Sequence, residues 1–345
     1  MKALIYAGPR DVRYEDMADP RIEDDRDIVV KIERCGICGS DLHIYHGDQL
    51  RDDVGFCIGH EAIGEVVETG RAVTRLKTGD KVLIPASVGC GACRYCLAGN
   101  VMQCRNEVEI CYGLSRALQG CQAEGMRVPA GDFNALPMPD GITPDQAITL
   151  TDNLPTAWFG CRNADVGPGR TVAVIGLGAI GLMAVEASFL LGATRVFAID
   201  PIAERRAIAE GLGATALSPD DAANVIRDAT DGRMIDSVVE AVGKEATIAM
   251  AIRLAGKRAS VSVIGVNMSR RMDFPMARVF ANGLTLRSGM CSVSEHLGEL
   301  VPLVQHGRLR PERYVTDAMP LAEGAAAYAR FDARAGGTLK TVLLP

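Results

Sequence analysis

The segment TVAVIGLGAIG, residues 171–181, decides the fold of this 345-residue chain. Its first five residues are mostly β-branched and apolar, which is typical of a buried strand. The glycines that follow, Gly176, Gly178 and Gly181, have the spacing G-x-G-x-x-G. A helix-like run continues to residue 191, and a second strand is predicted at residues 195–200. The glycine pattern is a weak signal alone, but within a β-α-β unit it predicts a dinucleotide-binding turn.

Each glycine of this turn has a separate reason to be there. Gly176 permits the tight turn, Gly178 lets the backbone approach a pyrophosphate, and Gly181 lets the helix pack close to the sheet. The free N–H groups at the start of the helix suit the phosphates. The predicted cofactor-binding residues of the turn are Gly176, Leu177, Gly178, Ala179, Ile180 and Gly181. The alternative is a glycine-rich packing turn without a ligand.

Asp200, at the end of the second predicted strand, favours NAD over NADP. A carboxylate there accepts hydrogen bonds from the ribose 2′-hydroxyl and repels a 2′-phosphate. Arg205 and Arg206 oppose this choice, because an arginine nearby could receive a phosphate. Their other interpretation is a solvated helix face.

Further strands and helices alternate across the middle of the chain and predict a parallel sheet. Predicted strands lie at residues 235–240 and 259–264, and predicted helices at 204–211 and 246–254. Residues 1–150 contain instead short strands punctuated by Gly and Pro, as at 27–32, 63–68 and 80–85. They predict a small, mostly β domain that carries loops.

Four cysteines with the spacing C-x2-C-x2-C-x7-C predict a structural zinc site. They are Cys90, Cys93, Cys96 and Cys104. Four thiolates close a tetrahedron around Zn²⁺ and leave no position for a substrate, so such a site holds a loop together. The alternatives are unrelated thiols or a disulfide pair, which an oxidising compartment would favour.

A second group of metal-binding residue types lies near residues 35–43 and 59–61. A catalytic zinc takes three protein ligands and leaves one position open. Cys38 and His60 can supply two of these ligands, and Asp152 offers a third. Cys35 and Cys38 could instead be a redox C-x-x-C pair, but that motif belongs before a helix in a small βαβ domain.

The composition of the chain argues against nucleic acid and membrane as partners. A net charge of −6 argues against nucleic acid as the main partner, because phosphate binding requires a basic surface. The apolar stretch 171–193 contains Glu186 and the glycine run, so we expect no membrane span. No signal-peptide core precedes Pro9, which predicts reduced thiols and a cytoplasmic protein.

Together these motifs resemble the zinc-containing alcohol dehydrogenases of the medium-chain dehydrogenase/reductase superfamily. The resemblance covers essentially the whole chain. It implies a GroES-like, mostly β catalytic domain, residues 1–153 and 293–345, with a structural zinc lobe near 89–105. A doubly wound Rossmann NAD-binding domain, residues 154–292, is inserted between its two parts, so the fold class is α/β.

The resemblance also implies roles for individual residues. Cys38, His60 and Asp152 are similar in position to the catalytic zinc ligands, although the third is a cysteine in much of the family. Glu61 matches a carboxylate that can itself reach the metal. Ser40 and His43 match a proton relay. The remaining expected cofactor contacts are Thr156, Arg205, Val242, Gly265 and Val266.

The activity implied is reversible hydride transfer between an alcohol and NAD, giving an aldehyde or ketone, with two zinc ions per chain. The alcohol is primary, secondary or a polyol, and the alternative is a formaldehyde-, threonine- or sorbitol-dehydrogenase-like member of the same family. A zinc-free reductase of the superfamily and a non-enzymatic NAD-binding protein are the rival functions. Family members are dimers or tetramers, so a homotetramer is expected, and the apolar edge near 284–286 is a candidate for pairing between subunits.

Overall fold

The computed structural model describes residues 1–48, 53–106, 109–334 and 337–345. The chain divides into two units. The first unit comprises Met1–Pro155 and Ser292–Pro345, and the second comprises Thr156–Cys291.

The first part of the first unit contains short strands and shorter helices. The strands are β1 (Lys2–Gly8), β2 (Asp11–Asp16), β3 (Ile28–Ile37), β4 (Phe56–Cys57), β5 (Ala62–Thr69), β6 (Lys81–Ile84), β7 (Gly125–Val128) and β8 (Leu136–Pro137). The helices are α1 (Asp41–His46), α2 (Arg94–Leu97), α3 (Gly131–Asn134) and α4 (Pro144–Leu150). Helix α5 (Asn153–Asn163) begins here and continues into the second unit.

The second unit alternates strands and helices. Its strands are β9 (Thr171–Ile175), β10 (Arg195–Ile199), β11 (Thr215–Leu217), β12 (Ile235–Glu240), β13 (Ala255–Val263) and β14 (Thr285–Ser288). Its further helices are α6 (Ala179–Leu190), α7 (Ala203–Gly211), α8 (Ala222–Ala229), α9 (Glu245–Leu254) and α10 (Met276–Asn282).

The chain then returns to the first unit. It forms α11 (Val293–Gln305), β15 (Val315–Pro320), α12 (Gly324–Asp332) and β16 (Lys340–Leu344). Short 3₁₀ helices lie at Val101–Gln103, Pro311–Tyr314 and Leu321–Glu323.

Two sheets organise the described part of the first unit. The larger has the order β15-β16-β3-β5-β6-β8, with β7 also paired to β3, and the smaller has the order β2-β1-β4. All pairs are antiparallel except β15 with β16. Apolar side chains such as Ile28, Val30 and Val66 are fully buried in its core. The long strand β3 connects β16 to β5, so the last strand of the chain lies beside residues near its beginning.

The second unit has a parallel sheet of order β11-β10-β9-β12-β13-β14 among the described residues. Ile175 at the end of β9 lies opposite both Ile199 and Glu240. The carboxyl ends of these strands therefore meet at one edge, where this class of fold binds ligands. The predicted strands and helices around residues 171–200 are confirmed, as is the α/β fold class.

Helix α6 is mostly apolar, with Glu186 as its one charged residue, and most of it is buried. A helix of this kind packs inside a domain, here beside the central strands of the sheet. In the described part of the chain, no helix combines the length and apolar character that crossing a bilayer requires.

Candidate metal centres and dinucleotide turn

The pairing of β3 with β5 brings the first group of metal-binding side chains together. Cys35 lies opposite Ala62, and the Gly36 N–H donates to the Glu61 carbonyl over 3.0 Å. Cys38 follows the end of β3, and His60 and Glu61 directly precede β5. The two short segments are thus adjacent in space, although α1 and β4 lie between them in sequence.

Asp152 completes this cluster from the residue before α5. One ligand atom from each of Cys38, His60, Glu61 and Asp152 lies within 4.8 Å of the others. The Cys38 thiol donates to Asp152 Oδ2 over 3.3 Å, and His60 Nε2 is 3.9 Å from the same oxygen. A sulfur, an imidazole nitrogen and carboxylate oxygens are donors that suit zinc.

A buried carboxylate orients the imidazole. Asp41 is 1% exposed, and its Oδ1 lies 3.0 Å from His60 Nδ1. Its Oδ2 accepts the Cys38 backbone N–H over 2.9 Å. Because Nδ1 is engaged in this way, Nε2 is the nitrogen that faces the cluster and can bind a metal. One residue therefore positions two ligands.

Glu61 is fully buried and is held by two side chains from distant parts of the chain. Its Oε2 pairs with Lys340 Nζ, and its Oε1 accepts a hydrogen bond from Asn153 Nδ2 over 2.9 Å. Lys340 Nζ also donates to the Ile37 carbonyl over 3.1 Å. A β-carbon at Gly36 would collide with both Glu61 and Lys340, so this position needs glycine.

Burial sets the protonation of the free cluster. It raises the pKa of the Cys38 thiol to about 11, and it raises the pKa of Glu61 to about 7 although Lys340 opposes the shift. Low polarity disfavours the charged forms, and a bound cation reverses that preference. The cluster contains more acidic groups than basic ones, so its donor set and its charge both fit a divalent zinc ion.

The two residues expected to relay a proton lie beside this cluster. Ser40 Oγ is 3.2 Å from His60 Nε2. His43 is part-exposed, with Nδ1 3.8 Å from Asp48 Oδ2, and partial burial lowers its pKa. Within the described residues, no hydrogen bond joins the Ser40 hydroxyl directly to the His43 ring. The relay therefore stays a prediction.

The four-cysteine segment has the dimensions of a metal site. Ligands about 2.3 Å from one zinc ion lie about 3.8 Å from each other. The sulfur of Cys93 is 3.6 Å from that of Cys96 and 3.9 Å from that of Cys104, and the sulfurs of Cys90 and Cys96 are 4.0 Å apart. A disulfide would need about 2.05 Å. All the cysteines are free, so the disulfide interpretation is wrong.

Backbone and amide donors surround these sulfurs. The Cys93 N–H lies 3.3 Å from Cys90 Sγ, and Asn106 Nδ2 lies 3.4 Å from it. Hydrogen bonding from the Cys96 N–H lowers the pKa of the Cys93 thiol to about 6. Donors directed at sulfur favour the thiolate, which is the form that binds zinc.

The glycines of the dinucleotide turn have the expected geometry. Gly176 has a φ of +89°, and a β-carbon there would collide with Val242. A β-carbon at Gly181 would collide with the Gly176 carbonyl. At Gly178 the nearest atom to such a carbon is Arg205 Nη1 at 4.0 Å, so its backbone is open to an approaching group. Leu177 is buried, Ala179 begins α6, and Ile180 is half-buried.

Asp200 lies beside this turn and is 4% exposed. Its Oδ2 accepts the Leu177 N–H, and its Oδ1 accepts the Ile202 N–H, both over 2.8 Å. Arg206 Nη1 donates to the carbonyls of Asp200 and Pro201. Arg206 is part-exposed and donates to the backbone, whereas Arg205 lies near Gly178.

The other expected cofactor residues lie at the same edge of the sheet, with one exception. Val242 follows β12 and contacts the Gly176 turn, and Gly265 and Val266 follow β13. Gly265 packs so closely on Gly243 that a side chain there would collide with the backbone. Thr156 lies instead on α5 and is half-buried.

The sequence analysis did not identify the residues that orient the predicted metal-binding side chains. Asp41 lies within the 35–43 segment, but its spacing does not mark it as the partner of His60, and Asn153 follows a predicted ligand directly. Lys340 had a weak signal, since it is a lysine within an apolar, strand-like run. No pattern in the sequence connects Lys340 to Glu61.

Comparison with known proteins gives consistent similarities along the chain. Residues 24–140 match the model of the alcohol dehydrogenase GroES-like domain, and residues 179–306 match that of the zinc-binding dehydrogenases. The chain is 39% identical over 345 residues to a probable zinc-binding alcohol dehydrogenase of Mycobacterium tuberculosis, covering 100% of this chain and 89% of that protein.

Solved structures are similar as well. Alcohol dehydrogenase TADH from Thermus sp. ATN1 superposes with a TM-score of 0.93 at 35% identity, covering 100% of this chain and 99% of that one. A protein of Sinorhizobium meliloti 1021, described as a zinc-binding dehydrogenase and bound to NADP, has a TM-score of 0.85 at 28% identity. The coverage is 100% of this chain and 99% of that one.

The sulfur geometry predicts the effect of Cys93→Ser. The hydroxyl is a poor zinc ligand, so we expect the metal content to fall by about one zinc per chain and the melting temperature to drop. Metal analysis and thermal unfolding of the purified variant measure both. Cys161→Ala, at a buried cysteine of the second unit, is the control and keeps the zinc. An unchanged zinc content in Cys93→Ser would contradict the assignment.

Proposed function

Because the chain belongs to the zinc-binding alcohol dehydrogenase family, as its motifs predicted, we propose that it is an NAD-dependent alcohol dehydrogenase. It transfers a hydride reversibly between an alcohol and NAD, with an aldehyde or ketone as the product. The observation that carries the proposal is the buried cluster of Cys38, His60 and Asp152, whose sulfur, nitrogen and oxygen donors form a set suited to zinc.

The two units have separate tasks in this proposal. The first unit is the catalytic domain and holds both zinc ions, a catalytic one at Cys38, His60 and Asp152 and a structural one at the four cysteines. Glu61 lies within reach of the same position, so it is a further ligand when the substrate is absent. The second unit binds the dinucleotide at the carboxyl edge of its parallel sheet.

Zinc held by Cys38, His60 and Asp152 would supply a Lewis acid that lowers the pKa of an alcohol, and a bound nicotinamide would supply the hydride acceptor. The chain's own residues prepare that chemistry. Asp41 holds His60 Nδ1 and the Cys38 N–H, so the two ligands keep a fixed orientation. Ser40 Oγ, beside His60, accepts the proton that leaves the substrate, and His43 passes it to solvent from its part-exposed position.

The cofactor is NAD in this proposal because the carboxylate of Asp200 is buried beside the turn. Both of its oxygens accept one backbone N–H and retain lone pairs for a ribose hydroxyl. A 2′-phosphate would meet a negative charge there. Arg205 is the residue that favours NADP, and the NADP-bound relative makes the choice worth a direct test.

The substrate is a primary or secondary alcohol or a polyol. The alternative is a substrate of the formaldehyde-, threonine- or sorbitol-dehydrogenase type. The same metal and hydride chemistry serves all of them, so the choice depends on the pocket. A zinc-free reductase is disfavoured by the ligand cluster.

The metal cluster predicts that Cys38→Ala removes about one zinc per chain and lowers turnover by roughly a thousandfold or more, because a Lewis acid contributes several kcal/mol. NADH formation with simple alcohols, sorbitol, threonine and formaldehyde measures activity, and metal analysis measures zinc. Cys35→Ala, three residues away with its thiol on the Leu343 carbonyl, is the control. Full activity in metal-free Cys38→Ala would refute the proposal.

We expect Asp200→Asn to shift the cofactor preference toward NADP. Removing the charge ends the repulsion of a 2′-phosphate, so we expect the ratio of kcat/KM for NADP to that for NAD to rise by about tenfold or more. Steady-state kinetics with both cofactors measure it, and Glu204→Gln, in the first turn of α7, is the control. If the ratio does not move, Asp200 does not select the cofactor.

We also propose a homotetramer in the cytoplasm, with a dimer as the alternative. Strand β14 is the edge of the parallel sheet, and exposed apolar side chains lie near it in sequence, Met276, Phe280 and Met290. Open edges and apolar patches are used for association. We expect light scattering to report four chains per particle and Phe280→Asp to reduce that number. A wild-type monomer would exclude the assembly.

The zinc sites require reduced thiols, and this requirement supports the proposed cytoplasmic location.

A further inference from the structure

Glu240 is a buried carboxylate without a basic partner in the described part of the structure. It is the last residue of β12 and is 0% exposed. Burial raises its pKa. An ionisable group that is removed from water and not paired with a cation is expensive to keep, so its position needs a reason.

Its hydrogen bonds point to that reason. Oε1 accepts the N–H of Val242 over 2.9 Å and that of Gly243 over 3.0 Å, and Oε2 accepts the latter over 3.1 Å. The backbone carbonyl of the same glutamate accepts the N–H groups of Ile264 and Gly265, over 2.9 and 3.1 Å. One residue thus holds the turns that follow two neighbouring strands.

The turn after β12, at Val242–Gly243, packs directly against the turn after β13, at Gly265–Val266. Gly243 has a φ of +81°, and a β-carbon there would collide with the Val266 carbonyl. A β-carbon at Gly265 would collide with the Gly243 amide. Asn267 Nδ2 donates to the Gly243 carbonyl over 2.8 Å. The two backbones are therefore in direct contact.

These two turns lie beside the glycine-rich turn at residues 176–181. A Val242 methyl group is the nearest neighbour of a β-carbon built at Gly176, and Glu240 itself lies opposite Ile175 in the sheet. The carboxyl ends of β9, β12 and β13 therefore form one continuous surface. A dinucleotide bound at this edge rests on the backbone that Glu240 organises.

We propose that Glu240 is a positioning residue for the dinucleotide, which it does not touch but for which it holds the Val242–Gly243 and Gly265–Val266 backbone in the binding conformation. This inference rests on the proposed function, because it takes the ligand of this edge to be a nicotinamide dinucleotide. It assigns the buried carboxylate to cofactor affinity rather than to the stability of the sheet.

Glu240→Gln is the test. The amide has nearly the same shape, but an NH₂ group in the place of Oε2 cannot accept the Gly243 N–H, and the remaining hydrogen bonds lose the charge of the carboxylate. We expect the Kd for NADH to rise about tenfold, because hydrogen bonds to a charged group are stronger than those to a neutral one. Removing an unpaired buried charge leaves the melting temperature nearly unchanged. NADH fluorescence titration and thermal unfolding measure the two quantities.

The kinetics separate positioning from a general loss of structure. At saturating NAD we expect kcat within about threefold of wild type while KM for NAD rises in proportion to Kd. Zinc content stays constant. The matched control is Glu245→Gln, an exposed glutamate at the start of α9, and it leaves Kd unchanged.

A second variant keeps the inference testable if Glu240→Gln does not fold. Glu240→Asp keeps the charge but shortens the side chain, so the carboxylate withdraws from the Val242 and Gly243 N–H groups, and NADH binding is expected to weaken by about two- to threefold. An unchanged Kd in a folded Glu240→Gln, or a melting temperature that falls while Kd stays constant, overturns the inference alone. A wild-type protein that binds neither NAD nor NADP overturns the proposed function, and the inference with it.

Discussion

The antiparallel register between β3 and β5 is the constraint on which the metal cluster depends. It places Cys38, just past one strand, beside His60 and Glu61, just before the other. A slip of one residue would turn every side chain of a strand to the opposite face. The buried apolar residues along β3 oppose such a slip. Core packing therefore fixes the strand register, and the register fixes the relative positions of the candidate metal ligands.

Buried carboxylates recur at the functional positions, and the chain satisfies each in a different way. Asp41 pairs with an imidazole, Glu61 with an ammonium group, and Asp200 and Glu240 with backbone N–H groups. Each arrangement offsets the loss of hydration by directed hydrogen bonds. The type of partner separates two tasks. Side-chain partners that balance charge occur at the candidate metal cluster, where Asp41 also accepts a backbone N–H, whereas the partners at the carboxyl edge of the parallel sheet are backbone N–H groups of turns.

Glycine has an equally definite use in both units. Gly36 makes room for an ion pair, whereas Gly176, Gly181 and Gly265 allow close approach to their neighbours. The nearest atoms are main-chain atoms at Gly181 and Gly265, a methyl group of the half-buried Val242 at Gly176, and the buried Glu61–Lys340 pair at Gly36. Steric contact with these neighbours therefore leaves no room for a side chain at these positions. The regular spacing of the turn glycines can be recognised in the sequence alone, whereas Gly36 gains its meaning only from the position of Lys340.

Features whose parts lie close along the chain can be predicted from residue spacing alone. The four cysteines lie within 15 residues, and the strand, glycine turn and helix are continuous, so local spacing limits their geometry. The tertiary structure alone decided that Lys340 reaches Glu61, that Asp41 orients His60, and that Glu240 braces two turns. The first of these contacts joins residues 279 apart in the chain. Such contacts arise from strand pairing and burial, and neither spacing nor residue type records which distant side chains will share a core.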